Sequence, residues 1–286
     1  MSQQQEMLLD LARRIAAEQA ARPGVAAILL TGSVAQGYGD PASDIDMMLY
    51  YDILPDEATF EALKAAALAT GGNIYGHTPG EGLACYQYID GVKVDMAHQH
   101  RDGLAEMLAN FLEKPEVDNM TQHIIMSGVQ TGLPLHGEEL LRGWQAQLAA
   151  LPAGFAAALV ARYLRFYPVS VMAEMAVARG DLAFTYELLL ESAKHILYVL
   201  CALNDIVPPG KIKGLDRSLR RMTIAPVDIV TRMDALWTLP PADLTAALYG
   251  LIDELIELVA AHLPAADTEG IRRRLQIPVR QPAAGK

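Results

Sequence analysis

The 286-residue chain is 52% hydrophobic and carries 23 Lys and Arg against 34 Asp and Glu, a formal net charge of −11. That length and apolar content build a real core in one large or two modest domains, while the acidity excludes broad phosphate-backbone binding, which needs Lys and Arg to release counterions, so no nucleic acid partner is expected. No stretch approaches the roughly 18 unbroken apolar residues of a membrane span, and the N-terminal Met1-Ser2-Gln3-Gln4-Gln5-Glu6 lacks the basic-then-apolar order of a signal peptide, so a cytoplasmic protein without a membrane partner is expected.

Met7, Leu8, Leu11 and Ile15 recur at helical spacing, and Arg22-Pro23-Gly24 stops that helix ahead of the apolar run Val25 to Leu30, a predicted strand. Ile45 to Tyr51 is a second run of strand formers. Asp56, followed by Glu57, Phe60, Leu63, Ala66 and Ala67, reads as a capped helix. Leu83 to Ile89 and Val92 to Met96 flank Asp90-Gly91, a pair suited to the type I′ turn of a two-residue hairpin. The first hundred residues thus predict a small mixed sheet with helices packed on it.

From about residue 101 the strand signals stop. Periodic apolar segments run to the C-terminus, interrupted at Pro115, Pro134, Pro152, Pro168, Pro208-Pro209, Pro226, Pro240-Pro241 and Pro264, the pattern of a helical bundle. The expected organisation is therefore α+β: an N-terminal catalytic core over residues 1–105, an all-α helical bundle domain over 106–280, and a loose tail over 281–286. The two cysteines, Cys85 and Cys201, cannot supply a disulfide framework and read as buried thiols.

The segment richest in chemistry is Thr31-Gly32-Ser33-Val34-Ala35-Gln36-Gly37, followed by Ser43-Asp44-Ile45-Asp46. Strand side chains alternate faces, so Asp44 and Asp46 project to one side while Ile45 and Met47 face the other. Paired carboxylates suit a hard cation such as Mg²⁺, which takes one or two of them together with substrate phosphates. Gly32-Ser33 at a strand-to-helix turn lets backbone N–H groups approach a phosphate. Asp95, between apolar neighbours in the hairpin strand, offers a third carboxylate. His98 and His100 stand at odd steps from Asp95, on the opposite strand face, and are not taken as ligands. Tyr50 and Tyr51 read as core aromatics, and Arg272-Arg273-Arg274 as a solvated helix face.

Gly32-Ser33, ten residues, Asp44-Ile45-Asp46 and a later Asp95 resemble the signature of the DNA polymerase beta-like nucleotidyltransferases, and the longer form matches at Gly32, Ser33, Ala35, Gly37, Ser43, Asp44, Ile45 and Asp46. The resemblance covers roughly residues 25–100. The second half resembles the helical domain of the aminoglycoside and lincosamide nucleotidyltransferases, through Tyr186 to His195, then Cys201-Ala202-Leu203-Asn204 and the Pro-Pro-Gly-Lys turn ending at Lys211.

That resemblance implies two Mg²⁺ ions held by Asp44 and Asp46, one of them shared with Asp95, and ATP as co-substrate, its β/γ-phosphates cradled by Gly32 and Ser33. It implies AMP transfer to the hydroxyl of a small acceptor such as an aminoglycoside or lincosamide-like antibiotic, and so a role in antibiotic resistance, with pyrophosphate leaving and the protein acting as a monomer or homodimer. Glu187 and Glu191, four apart on one helix face, are candidate bases, with Lys194 one turn beyond, and Lys194, Lys211 and Lys213 are candidate triphosphate contacts. Two alternatives stay open: a protein AMP-transferase of the antitoxin kind, and a non-catalytic nucleotide-binding or interaction module.

Overall fold

The structure is a computed structural model describing residues 2–279; the expected loose tail, 281–286, lies outside the described residues. The chain divides into two compact units, Met1–Lys114 with Ile125–Ala149, and Pro115–Ile124 with Ala150–Lys286.

The first unit is a six-stranded mixed sheet with helices. In chain order it contains α1 (Gln3–Ala20), β1 (Val25–Thr31), α2 (Gly32–Ala35), β2 (Ile45–Tyr51), α3 (Glu57–Ala69), β3 (Asn73–Thr78), β4 (Gly82–Ile89), β5 (Val92–His100) and α4 (Arg101–Glu113). Next come the latter part of α5 (Met120–Thr131), β6 (Leu133–His136) and α6 (Glu138–Gln147). The strand order is β3-β4-β5-β2-β1-β6; the β2–β5 pair is parallel and the others antiparallel. Asp90 and Gly91 both take positive φ, 51° and 78°, as the type I′ turn between β4 and β5 requires. Asp56 caps α3, its carboxylate accepting the Thr59 N–H at 2.8 Å.

One face of the sheet packs on α1. Leu8, Leu11 and Ile15 from the helix meet Ile28, Leu30, Ile45, Met47, Leu49, Val94 and Met96 from β1, β2 and β5 in a single buried cluster. Alternation then forces Asp46 and Asp95 onto the opposite face. His98 is 2% exposed, with Nδ1 2.8 Å from the Tyr51 hydroxyl, and is a core histidine.

Two expectations are corrected here. Strands do not stop at residue 101: β6 pairs antiparallel with β1, Pro134 opposite Leu29. In sequence Pro134 marks a helix break, yet proline is tolerated on an edge strand, where its missing N–H interrupts no inner ladder, and β6 is such an edge. The expected division after residue 105 falls within α4, because the composition shift marks where the long strands end while packing keeps α4 and residues 125–149 with the sheet.

The second unit is helical among the described residues. Besides the first turn of α5 it holds α7 (Phe155–Tyr163), α8 (Leu182–Leu203), α9 (Leu215–Leu219), α10 (Ile229–Leu236), α11 (Pro241–His262) and α12 (Thr268–Leu275), with a π-helical turn at Val171–Ala176. Helix α8 is its axis: Leu188, Leu189, Ile196, Leu197, Val199 and Leu200 are buried, while Glu187 and Glu191 are exposed. Cys85 and Cys201 are buried thiols, one in each unit. No helix of the described residues is long and apolar enough to cross a membrane.

A buried glutamine holds the turn after β1. Gln5, 2% exposed, donates its side-chain amide to the Val34 carbonyl at 2.9 Å and accepts the Gly39 N–H. Gln5→Leu strands the Gly39 N–H in the interior, while the Val34 carbonyl keeps the Gly37 N–H at 3.2 Å, so an unfolding free-energy loss of about 1–3 kcal/mol is expected in denaturant titration; a loss below about 0.5 kcal/mol would remove the tether from the account. Burial lowers the pKa of His98 to about 4 from its ordinary 6.5, so the folded state holds it neutral while the unfolded state binds a proton below 6.5. Its contribution is present above pH 6.5 and is lost as pH falls toward 4. A His98→Gln variant is expected to show a shallower loss of stability across that interval than the parent, measured by denaturant titration at successive pH values.

Candidate active site

The parallel pairing of β2 with β5 sets Asp46 opposite Asp95 in register. Asp44 stands just before β2. Ligand oxygens from Asp44, Asp46 and Asp95 all lie within 4.8 Å of one another, and the three residues are half-buried. The sequence-predicted carboxylates therefore converge on one point, and Asp95 sits on an inner strand, not at a sheet edge. Three hard oxygen donors at that separation form a set that could hold a divalent cation of the Mg²⁺ kind.

Gly32 is fitted to this point by shape. Its φ is +71°, and a Cβ there would lie 2.1 Å from Asp46 Oδ2, so a side chain is refused both by the backbone and by the carboxylate. Ser33 lies in the same turn, with its hydroxyl 3.1 Å from that of Ser43. Ser43 in turn donates to Asp40 Oδ1 and accepts from the Asp40 N–H, both at 3.0 Å, which closes the loop leading to Asp44.

Lys93 was given no role by the sequence. Its Nζ lies 2.5 Å from Asp95 Oδ2 and 3.4 Å from Asp44 Oδ2, and rests 4.9 Å from the centre of the Tyr86 ring and 5.7 Å from that of Tyr75. Burial works to lower its pKa, but hydrogen bonds to Asp95 and Tyr75 with the charges of Asp95 and Asp44 outweigh it, and the net shift is upward. Lys93 is thus a fixed cation that neutralises part of the carboxylate charge. The Tyr75 and Tyr86 rings lie 5.4 Å apart, tilted by 41°, and Tyr86 stands opposite Asp95 across β4–β5. A hydrogen bond to Asp95 raises the pKa of the Tyr75 phenol. Strand alternation already puts residues 93 and 95 on one face, so Lys93 was within reach of sequence reasoning; the tyrosines needed the pairing register.

The other predicted residues gather within the helical unit. Glu187, Glu191 and Lys194 of α8, with Lys211 and Lys213 after the Pro208-Pro209-Gly210 turn, line a single groove of about 710 Å³. Lys194 Nζ lies 5.4 Å from the Tyr198 ring centre, and Glu191 Oε1 is 3.9 Å from His195 Nε2. His195 is committed to structure, with Nδ1 at 2.6 Å from the Arg165 carbonyl.

No family model matches the chain, and no curated protein matches it. Among solved structures it is similar to a nucleotidyltransferase-like protein from Exiguobacterium sibiricum, at 11% identity and a TM-score of 0.31, over 90% of this chain and 80% of that one.

A divalent ion entering the carboxylate trio competes with the Lys93 ammonium. An opposite charge at about 4 Å is worth roughly 4 kcal/mol at an effective dielectric of 20, less where water reaches the pair. Lys93→Met is therefore expected to tighten Mn²⁺ binding about tenfold, read from the free-ion signal in electron paramagnetic resonance. Unchanged or weaker Mn²⁺ binding would show that the ammonium does not compete for the site.

Proposed function

We propose that this protein is a metal-dependent nucleotidyltransferase that moves a nucleoside monophosphate, AMP from ATP, to a hydroxyl of a small acceptor, with release of pyrophosphate. The observation that carries the reading is the convergence of Asp44, Asp46 and Asp95 beside Gly32, where a side chain would be strained by the positive φ and would displace the Asp46 carboxylate. Those three carboxylates are the residues that would hold Mg²⁺, matching its preference for hard oxygen ligands completed by substrate phosphates. Bound there, the metal supplies charge neutralisation on the triphosphate and activation of the attacking oxygen.

The chain's own residues supply placement. Gly32 brings its backbone against the Asp46 carboxylate, so a phosphate held by metal on that carboxylate would meet the turn's N–H groups, and the hydrogen-bonded Ser33–Ser43–Asp40 loop fixes the turn. Lys93 remains a cation beside the carboxylates and can hold a phosphoryl oxygen when metal takes over Asp95 and Asp44. On the helical unit, Glu187 and Glu191 are the candidate bases toward an acceptor hydroxyl, and Lys194, Lys211 and Lys213 the candidate contacts for polyphosphate, all on one groove. Holding reactants in line is where such catalysis gains most, since little covalent work falls to the protein.

The test is pyrophosphate release from Mg-ATP across aminoglycosides, lincosamides and other small hydroxylated acceptors, with Asp44→Asn and Asp46→Asn alongside. Acceptor-dependent release is expected, reduced more than about 100-fold in either variant, beyond what loss of an outer-shell metal contact costs, with circular dichroism unchanged. Turnover at the parental rate in either variant would sink the metal assignment. Mg-ATP binding without release across the panel would shift the reading to a protein acceptor, and no binding of Mg-ATP to a non-catalytic module.

A further inference from the structure

The helical unit carries a second cavity, distinct in residues and chemistry from the groove of acids and lysines. It measures about 510 Å³, inside the range of small-molecule sites, and its walls are apolar: Ala157 and Val160 from α7, Leu164 just after it, Leu263 and Pro264 from the turn after α11, and Ile271 from α12. Arg274 stands at its margin. The same arginine, with Ala161 and Ile271, also lines an adjoining pocket of about 380 Å³ whose other walls include Arg165 and Phe166. The two spaces therefore share three residues, and Arg165 and Arg274 both line the smaller one.

The charges around these arginines set them apart. Arg272, two residues from Arg274, pairs with Asp253 at 2.6 Å and with Glu257. Arg165 and Arg274 have no ion-pair partner among the described residues. Asp267 is the one carboxylate lining either space, and it is engaged as the cap of α12, accepting the Gly270 N–H at 2.8 Å. In a chain of net charge −11, two unpaired guanidinium groups beside apolar walls are complementary to an anion attached to a hydrocarbon. The planar guanidinium fork suits a carboxylate, which it can grip through two N–H groups.

We propose that this chamber is a binding site for a small amphipathic anion, a hydrocarbon body with a single carboxylate head, its body among Val160, Leu164, Leu263 and Ile271 and its head between Arg165 and Arg274. Polyphosphates do not fit, because the apolar walls return nothing for the hydration they would lose. Aliphatic cations are disfavoured by the arginines. The site is independent of nucleotide chemistry, since none of its residues belongs to the carboxylate trio or to the groove.

The probe is decanoate, below its micelle concentration, titrated calorimetrically into the full chain with decanol as the uncharged comparator. Decanoate is expected to bind one per chain and to raise the melting temperature, with decanol weaker. The double variant Arg165→Ala/Arg274→Ala should weaken decanoate about fivefold to tenfold, as befits exposed charge pairs, and leave decanol unchanged. Ala157→Trp, at an exposed wall position, should abolish both by filling the chamber. Equal binding of decanol and decanoate, an unchanged affinity in the double variant, or no decanoate binding would each overturn the proposal. So would self-association that Ala157→Trp removes without any decanoate binding, which would give the chamber to a second copy of the chain. Should Ala157→Trp not fold, the arginine variants, both at exposed positions, still decide the matter.

Discussion

The candidate site depends on one pairing, the parallel register that sets β5 against β2 with Asp95 opposite Asp46. A one-residue slip of β5 would turn Asp95 into the buried cluster and bring Val94 or Met96 out. The register is held because Val94, Met96, Ile45 and Met47 all lie in the same cluster against α1, so the hydrophobic face and the carboxylate face specify each other. Like charges at such short range repel, and the cost is offset where Lys93 places its ammonium against Asp95 and Asp44. The core fixes where the carboxylates are, and the lysine makes their proximity tolerable.

Much of this was legible in the sequence because it rests on local rules. Alternation in Ile45 to Tyr51 assigned Asp46 its face; Asp90-Gly91 fixed the hairpin turn and with it the placement of Asp95; Asp56 announced its own cap. The shared face of Glu187, Glu191 and Lys194 was legible for a similar reason, whereas the grouping with Lys211 and Lys213 needed the structure. Glu187, Glu191 and Lys194 share a face by helical periodicity, and the Pro208-Pro209-Gly210 turn delivers Lys211 and Lys213 to the same side.

The parts that were not legible arise from long-range pairing or from polar groups in apolar settings. Strand β6 is four residues with a proline in it, too short and too unlike a strand former to show in a periodicity count, and it exists because β1 has an open edge to satisfy. Gln5 lies in a run of polar residues that carries no periodic signal, and its amide is the partner of two backbone groups from residues 34 and 39. Arg272-Arg273-Arg274 reads as one charge run, but helical geometry splits it: Arg272 turns to Asp253 and Glu257 and Arg274 to an apolar chamber.

Gln5 and Gly32 show how tightly the site is bound to the fold. The turn that follows β1 has no core of its own; it is pinned from below by a buried amide and limited from above by a carboxylate oxygen 2.1 Å from where a Cβ would stand. A side chain at position 32 would have to push Asp46 away from Asp44 and Asp95, and the main chain would have to leave a positive φ that only glycine holds cheaply. Displacement of Asp46 could not be absorbed by the strand, because Ile45 and Met47 on either side are locked in the cluster against α1. The strain would therefore pass to the loop through Ser33, Ser43 and Asp40, the least buried part of the arrangement. A glycine at this position is thus required by the position of a carboxylate, and the position of the carboxylate is required by the packing on the other side of the sheet.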